Sequence, residues 1–335
     1  MYKGAVIAAV VPAYKEELMI GTVIETMPEY VDHIVIVDDC SPDDTSGAAA
    51  KMGDPRVTLI RHEVNQGVGG AIITGHHAAL DLGSDVNVIM AGDGQMDPKY
   101  LPNLLDRLVE DGYGFAKANR FYSPESFSGM PSHRIFGNIV LSFMTKLSSG
   151  YWNLFDPQNG YTAIRSDALR RVPLDRVARR YSFENDLLIH LNILQISAVD
   201  VPVPAVYGDE VSSIKLRNVI PELTHRLTVG FWQRIWYRYV LWSFSPIALL
   251  LFLGLFFLLF GLGVTLWLLF AIVGSAIATA GTVMLAALPL MLGTQMLVSA
   301  LQLDIQASPS TPNYPPFTSG ATTPQAPSVT PPPAQ

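Results

Sequence analysis

Short apolar runs alternate with segments of helical periodicity along most of the chain. The runs lack the alternating polar face of a half-buried strand, and they occupy residues 5–11, 33–37, 57–61, 86–90, 115–119, 163–164 and 198–206. Such runs are typical of strands that are buried on both faces. The segments between them space apolar residues as a helix does, at 16–27, 45–52, 65–82, 99–108, 131–147 and 181–194. The alternation predicts an α/β fold, with a mostly parallel sheet that has helices on both faces.

An uncharged stretch separates Arg238 from Asp304 and consists mostly of apolar residues and glycine. It is far longer than the roughly 20 residues that one bilayer crossing needs. We therefore expect two transmembrane helices, at 244–273 and 282–303, joined by a weak turn at 274–281. Because basic residues precede the first span, the positive-inside rule predicts a hairpin with both ends, and hence the domain before it, in the cytoplasm.

The segment before the hairpin, residues 216–242, is amphipathic and rich in arginine and tryptophan. This pattern is typical of a helix that lies at a membrane surface, and packing on the preceding domain is the alternative. Residues 307–335 are uncharged and rich in Pro, Ser and Thr, a composition that favours disorder. The sequence thus predicts a domain at 1–215, a juxtamembrane segment at 216–242, two transmembrane helices within 243–303 and a disordered tail at 304–335.

The charge balance excludes one class of partner. The 335 residues include 22 basic and 29 acidic side chains, which gives no support for a nucleic-acid-binding surface. The one cysteine, Cys40, rules out an intrachain disulfide and is consistent with a reducing compartment.

Four polar loops follow the predicted strands, at residues 11–17, 37–45, 65–70 and 91–98. The carboxyl ends of parallel strands meet at one edge of a sheet, which is where open α/β sheets bind ligands. Glycines in such loops let the backbone approach a ligand, and a carboxylate beyond a strand end is suited to a divalent cation. Each loop alone is a weak signal, since acidic and glycine-rich turns are common.

Together, in this order and spacing, the loops resemble those of family 2 glycosyltransferases, which have a Rossmann-like GT-A fold that binds nucleotide-diphosphate sugars. The similarity is to the polyprenyl-phosphate branch, whose members resemble dolichol-phosphate mannose synthase, and it covers residues 5–215 and the two spans. The resemblance implies a membrane-bound, inverting enzyme that uses Mg²⁺ or Mn²⁺. It would move one hexose from a donor of the GDP-mannose or UDP-glucose type to undecaprenyl or dolichyl phosphate.

The family's P-A-Y-N-E-E motif appears at 12–17 with Lys15 in place of Asn, and its D-D-x-S-x-D-x-T motif appears at 38–45. The resemblance places the acids of the second motif on the base and ribose. The R-x-x-G-x-S-K loop is poorly kept, with only its lysine matched. The implied nucleotide-sugar site comprises Pro12, Tyr14, Glu16, Asp38, Asp39, Ser41, Gly67, Asp93 and Lys215.

The family's D-A-D-x-Q motif is matched by residues 91–95, so the resemblance makes Asp93 and Gln95 the metal ligands, while Ala91 replaces the leading acid. Arg120 and Arg134 match basic residues that receive the lipid phosphate in this branch, and a guanidinium suits a phosphate well. Asp156 matches a residue that lies in a turn near the sugar in the family, and Glu184 and Asp186 match an acidic pair on the following helix. The implied catalytic set is Asp93, Asp156, Arg120 and Arg134.

Two alternatives and several details stay open. A processive polysaccharide synthase is one alternative, but Gln233-Arg-Ile-Trp236 only loosely resembles its Q-x-x-R-W motif, and two spans are few for a polymer channel. A non-catalytic membrane scaffold is the other, and Ala91 is its best support. The sequence chooses neither the sugar nor UDP over GDP. A homo-oligomer formed through the hairpins would bury more helix surface than one hairpin alone.

Overall fold

The chain forms two compact units, which are considered separately. The computed structural model describes residues 1–122, 132–204, 216–273 and 279–317, and only the backbone at 132–134 and 216–220. The first unit contains Met1–Gly230 together with the chain from Pro309 onward, and the second is Phe231–Ser308. The first unit thus includes residues on both sides of the second.

A seven-stranded mixed sheet forms the centre of the first unit. Its strands are β1 Ile7–Ala13, β2 His33–Asp38, β3 Val57–Arg61, β4 Val86–Ile89, β5 Phe115–Asn119, β6 Thr162–Arg165 and β7 Ala198–Pro202. Their order is β3-β2-β1-β4-β6-β5-β7, and only β6 runs antiparallel to its neighbours. The predicted mostly parallel α/β architecture is confirmed, and the carboxyl ends of β1, β2 and β4 meet at one edge.

Helices accompany the sheet in the first unit. They are α1 Ile20–Glu25, α2 Thr45–Lys51, α3 Val68–Asp81, α4 Leu101–Val109, α5 Ser132–Ser149, α6 Ser166–Leu169, α7 Phe183–Ile193 and the greater part of α8 Leu216–Arg234. The first helix is shorter than the predicted 16–27, and the backbone amide of Glu16, before it, donates to Thr45 Oγ1 (2.9 Å).

The second unit begins at the end of α8 and continues through a π-helix, Ile235–Leu241, into α9 Pro246–Val273 and α10 Ala280–Gln306. Both long helices have the length and apolar composition of membrane-spanning segments, in agreement with the two predicted spans. They pack as an antiparallel hairpin through small residues: Gly254 faces Leu297, and Gly261 faces Leu290. Close backbone approach at glycine is a common way for apolar helices to associate in lipid.

A buried ion pair in the second unit joins Arg234, which precedes the uncharged stretch, to Asp304, which follows it. Arg234 is fully buried, and its Nη1 and Nη2 donate to the two carboxylate oxygens of Asp304 at 2.6 and 3.1 Å. The Tyr239 hydroxyl donates to the same carboxylate at 2.6 Å. Breaking such a pair by removing one partner leaves an uncompensated buried charge, so these groups constrain the packing of the π-helix against the end of α10.

The predicted disorder of residues 304–335 is wrong for the part that the structure describes. Helix α10 continues to Gln306, and residues 309–317 form backbone hydrogen bonds with the first unit. A prediction from composition fails here because it does not take account of a few side chains, Asn313, Tyr314 and Phe317, whose contacts offset the entropy lost when the segment becomes ordered. Residues 318–335 lie outside the described residues.

A glycine in α3 sets how closely that helix approaches the sheet, and this generates a stability prediction. A Cβ at Gly75 would overlap the side chain of Val10 in β1. We expect Gly75→Ala to lower the free energy of unfolding by about 1–3 kcal/mol through overpacking. A Cβ added at Gly137 in α5 would have no neighbouring atom within 4 Å. Gly137→Ala should therefore raise the free energy of unfolding by about 0.5–1 kcal/mol. Denaturant unfolding of both variants checks the pair, and equal effects would contradict it.

Candidate active site

The first two polar loops are joined by hydrogen bonds at the carboxyl edge of the sheet. The amide of Lys15 donates to Ser41 Oγ at 3.1 Å, and the amide of Asp39 donates to the carbonyl of Ala13 at 2.9 Å. Lys15 has a φ of 66°, a left-handed conformation that these contacts support. Tyr14, the residue before Lys15, is 45 % exposed and therefore accessible to a ligand.

Asp39 connects the second loop to the third. Its carboxylate accepts hydrogen bonds from the amides of Gln66 and Gly67, both at 2.8 Å, and from His62 Nδ1 at 2.7 Å. Gly67 has a φ of 87° and begins α3, where an added Cβ would collide with the carbonyl oxygen of Arg179. A buried carboxylate that accepts three hydrogen bonds orders a loop strongly, so Asp39 shapes the third loop from inside the domain.

Asp38 is also buried, and its contacts are likewise internal. Its carboxylate accepts hydrogen bonds from the Ser41 amide at 2.8 Å and from the Ser46 hydroxyl. Burial alone would raise the pKa of Asp38, but these hydrogen bonds and the charge of Arg61 hold that pKa below its ordinary value. Asp38 is therefore an anion in the folded protein at neutral pH.

The fourth loop, which carries the predicted metal ligands, lies against the first. The Gly92 amide donates to the carbonyl of Pro12 at 3.1 Å, and Gly94 takes a positive φ of 71°. Asp93 is partly exposed and its Oδ1 accepts the Gln95 amide at 3.0 Å, while Gln95 is exposed. Among the described residues no three His, Cys, Asp or Glu side chains form a metal-binding group. Asp93 and Gln95 thus fit a cation only as part of a shell that other oxygen donors complete.

Arg120, which is predicted to bind the acceptor phosphate, forms a bidentate ion pair with Asp156. Arg120 Nε lies 2.7 Å from Asp156 Oδ2, and Arg120 Nη2 lies 2.8 Å from Asp156 Oδ1. Asp156 is buried and has a φ of 51°, whereas the Arg120 side chain is about one third exposed. The ion pair therefore holds the positively charged guanidinium of Arg120 just after the end of β5.

The turn that carries Asp156 is held by two side chains of the sheet, the buried Lys117 and the partly buried Asp200. Lys117 in β5 is buried, and its Nζ donates to the carbonyl of Asn159. Asp200 in β7 accepts hydrogen bonds from the amide of Phe155 at 2.7 Å and from Asn119 Nδ2 at 2.9 Å. Adjacent strands thus determine the conformation of the turn.

The ionisable groups around this turn influence one another. Burial lowers the pKa of Lys117, while the carboxylates of Asp156, Glu184 and Asp200 raise it. Burial raises the pKa of Glu184, with an opposing effect of Lys117. Burial also raises the pKa of Asp200, to about 7, and the nearby charge of Asp156 contributes to this shift.

The turn also contacts the fourth loop. The Tyr161 hydroxyl donates to the carbonyl of Asp97 at 3.3 Å, and a Cβ at Gly160 would touch Met96. The four polar loops, which include Asp93, and the Arg120–Asp156 pair therefore belong to one connected group at one edge of the sheet.

Comparison with known proteins identifies the family. The sequence model described as "Glycosyl transferase family 2" matches residues 8–172. A UDP-N-acetylglucosamine–dolichyl-phosphate N-acetylglucosaminyltransferase of Methanococcus voltae is 32 % identical over 244 residues, which cover 68 % of this chain and 92 % of that one. The chain belongs to glycosyl transferase family 2. It is also 30 % identical to an undecaprenyl-phosphate mannosyltransferase of Micrococcus luteus, over 59 % of this chain and 82 % of that one.

Solved structures support the fold of this glycosyltransferase. Glucosyl-3-phosphoglycerate synthase from Mycobacterium tuberculosis, in complex with Mn²⁺, UDP and phosphoglyceric acid, matches with a TM-score of 0.51 and 20 % identity. The match covers 69 % of this chain and 78 % of that one. With the seven-stranded sheet, it confirms the predicted GT-A-like fold.

Two predicted site residues of the glycosyltransferase have no described side chain. Arg134 belongs to the first turn of α5, where the backbone alone is described, and Lys215 lies outside the described residues. Sequence reasoning missed Lys117, Asp200 and His62, which support the site from inside. A lysine in an otherwise apolar strand segment, Phe115–Asn119, was the one available signal for this group.

The raised pKa of Asp200 predicts how the stability of the glycosyltransferase depends on pH. Between its ordinary pKa, 3.8, and about 7, folded Asp200 holds a proton that the unfolded chain releases. This group therefore makes the free energy of unfolding fall as the pH rises through that window. We expect the stability of Asp200→Asn relative to wild type to increase between pH 4 and pH 8, in thermal unfolding of the full chain.

The matched control is Asp81→Asn, which removes a carboxylate from the exposed end of α3. A stability difference between wild type and Asp200→Asn that stays constant over the same pH range would show that Asp200 titrates alike in the folded and unfolded chain.

Proposed function

We propose that this glycosyltransferase moves one sugar unit from a nucleotide-diphosphate sugar to a polyprenyl phosphate at a membrane, with inversion at the anomeric carbon. The names of the Methanococcus and Micrococcus relatives support a polyprenyl-phosphate acceptor, and they specify N-acetylglucosaminyl and mannosyl transfer respectively. We therefore propose the acceptor class and leave the sugar open. A donor of the GDP-mannose or UDP-glucose type and a UDP-N-acetylglucosamine donor are all compatible with it.

The observation that carries this proposal is the connection between the donor-side loops and the Arg120–Asp156 pair. The exposed Tyr14 and partly exposed Asp93 come from loops that contact each other through Pro12 and Gly92. The Arg120 guanidinium, fixed by Asp156, supplies positive charge to the same group of loops. Such an arrangement suits two anionic substrates, a diphosphate donor and a phosphate acceptor.

In the proposed reaction, an oxygen of the lipid phosphate forms a bond to the anomeric carbon. The bond from that carbon to the donor diphosphate breaks, and its electron pair leaves with the nucleoside diphosphate. A phosphate monoester is already anionic near neutral pH, so no proton has to be removed. The protein then acts by positioning the two substrates and by holding positive charge near them, which assigns Arg120 an orienting role.

A divalent cation fits this site as a shared ligand of protein and donor. Asp93 and Gln95 would hold it with oxygens of the diphosphate, because one carboxylate and one amide do not complete a shell. When bound, Mg²⁺ or Mn²⁺ would stabilise the negative charge of the diphosphate leaving group. The mycobacterial synthase was solved as a complex with Mn²⁺ and UDP, which supports this part of the proposal.

Membrane attachment is supported by both units, each in its own way. Helices α9 and α10 supply two candidate spans, which the positive-inside rule would orient with both ends, and the catalytic unit, in the cytoplasm. In the first unit, α5 exposes Phe136, Ile139 and Phe143 at a helical spacing. An exposed apolar stripe of this kind suits an interfacial position, where a long isoprenoid phosphate is accessible.

The direct test is transfer of radiolabelled sugar from a panel of nucleotide sugars to undecaprenyl and dolichyl phosphate. We expect label in an organic-extractable lipid with one sugar per phosphate. Polymeric product would instead support a processive synthase. Absence of transfer from every donor would support a non-catalytic scaffold.

Arg120 generates a prediction about the acceptor side. We expect Arg120→Ala to raise the KM for polyprenyl phosphate and to lower kcat/KM by about 10- to 100-fold, since one charge-assisted contact contributes roughly 1.5–3 kcal/mol. Arg120→Lys should recover only part of this, because an ammonium does not reproduce the planar fork. Lipid-dependent kinetics and nucleotide calorimetry measure the two effects. The control is Arg107→Ala, which removes an exposed arginine of α4, and an equal loss of nucleotide affinity in Arg120→Ala would move Arg120 to the donor site.

Asp93 generates a prediction about the donor side. We expect Asp93→Asn to lower kcat/KM roughly 100-fold or more and to weaken metal-dependent nucleotide binding, because it removes the carboxylate of the proposed cation shell. Asp97→Asn is the matched control in the same loop. Asp97 accepts the amide of Lys99 at 2.8 Å, and asparagine caps a helix equally well. Mn²⁺-dependent turnover at the wild-type rate in Asp93→Asn would remove the metal role from this residue.

A further inference from the structure

Residues 309–317 pack along one border of the first unit, where β5 and β7 begin. The amide of Ala198, the first residue of β7, donates to the carbonyl of Pro309 at 3.0 Å. The amides of Tyr314 and Phe317 donate to the carbonyls of Gly112 and Val109 at 3.0 and 2.8 Å. Since β7 is an edge strand, the segment partly covers a border that would otherwise expose unpaired backbone groups.

The segment packs against the side chain of Arg165. Arg165 is 2 % exposed, and its guanidinium carbon lies 4.1 Å from the ring centroid of Phe317 and 5.1 Å from that of Tyr314. Its Nη1 donates to the carbonyl of Pro315 at 2.9 Å, and Asp167 accepts from Nη2 at 2.9 Å. A paired guanidinium between two aromatic faces combines charge-assisted hydrogen bonds with cation–π attraction.

Asn313 fixes the register in which the segment packs against the residues before β7. Its Oδ1 accepts the amide of Ser197 at 3.3 Å, and its Nδ2 donates to the carbonyl of Gln195 at 2.8 Å. Both contacts are with backbone groups just before β7. The hydroxyl of Tyr314 accepts a further hydrogen bond from Arg171 at 3.1 Å.

Two glycines of the first unit leave room for Tyr314. A Cβ at Gly112 would overlap the Tyr314 carbonyl oxygen, and a Cβ at Gly114 would lie 2.6 Å from its ring. Gly112 also has a φ of 77°, which glycine adopts without strain. The border is therefore shaped to hold an aromatic residue at this position.

The composition of the segment helps it to bind. Prolines occupy four of its nine positions, 309, 312, 315 and 316. Each proline restricts the unbound chain and so reduces the entropy lost when the segment becomes ordered.

We infer that this border is a peptide-binding groove, and that its ligand is the chain's own segment 309–317. The first unit is then incomplete without residues that follow the hairpin, and it holds the chain on both sides of the second unit. The inference is independent of the proposed reaction. The groove adjoins Gly112 and Ala198, at the beginnings of β5 and β7, whereas Arg120 follows the end of β5.

The test compares two glycine substitutions in the full-length chain. Gly112→Ala adds a Cβ against Tyr314, whereas Gly83→Ala adds one at a similar φ of 79° with open space around it. The measurements are hydrogen exchange at the Ala198 amide and chymotrypsin cleavage after Phe317. We expect both rates to rise about 10-fold or more in Gly112→Ala and to stay near wild type in Gly83→Ala, because loss of several hydrogen bonds releases the segment.

A second variant keeps the test decisive if Gly112→Ala fails to fold. Tyr314→Ala changes no residue before the hairpin, and it should also accelerate hydrogen exchange at the Ala198 amide. Added peptide with the wild-type sequence of residues 308–317 should restore that protection, and the same peptide with Tyr314→Ala should not. Equal exchange at Ala198 in wild type, Gly112→Ala and Tyr314→Ala would overturn the inference, as would equal protection by both peptides.

Discussion

The candidate site depends first on the carboxylate of Asp39. That group is buried and accepts hydrogen bonds from His62 and from the amides of Gln66 and Gly67. His62 in turn lies 2.9 Å from Thr74 Oγ1, so the contact extends into α3. A buried carboxylate requires such partners, and the loop that supplies them is thereby held in one conformation. The second and third loops are ordered together for this reason, before any ligand is considered.

A buried basic group holds the other side of the site. The Lys117 amine is buried and donates to the carbonyl of Asn159, and the carboxyl groups of Asp156, Glu184 and Asp200 oppose the effect of burial on its pKa. Asp156 also forms the ion pair with Arg120, so one carboxylate lies near both the buried lysine and the partly exposed arginine. The position of Arg120 is therefore determined by groups inside the domain as well as by its own loop.

The sequence predicts the parts of the site that follow from local patterns. Asp38 and Asp39 lie at the carboxyl end of β2, and Asp93 lies in the loop after β4. Parallel strands bring their carboxyl ends together, so the meeting of these loops follows from the pattern. The supporting roles do not follow from it. Whether Asp39 faces a ligand or the His62 ring, and whether Lys117 faces solvent or Asn159, depends on residues that are distant in sequence. Periodicity and motif spacing carry no information about such partners.

The C-terminal segment shows the same limit for the fold. Its prolines and small polar residues are typical of disorder, and the general argument is that such a chain cannot bury enough apolar surface to offset its ordering entropy. That argument assumes a flexible chain without a specific receptor. Here prolines lower the entropy term, and Arg165, Gly112 and Gly114 supply a receptor for Tyr314 and Phe317. The balance is decided by a groove whose residues lie before α9 and α10 in the sequence, whereas the segment follows these helices. Local composition therefore predicts the wrong state for a segment whose order depends on a distant partner.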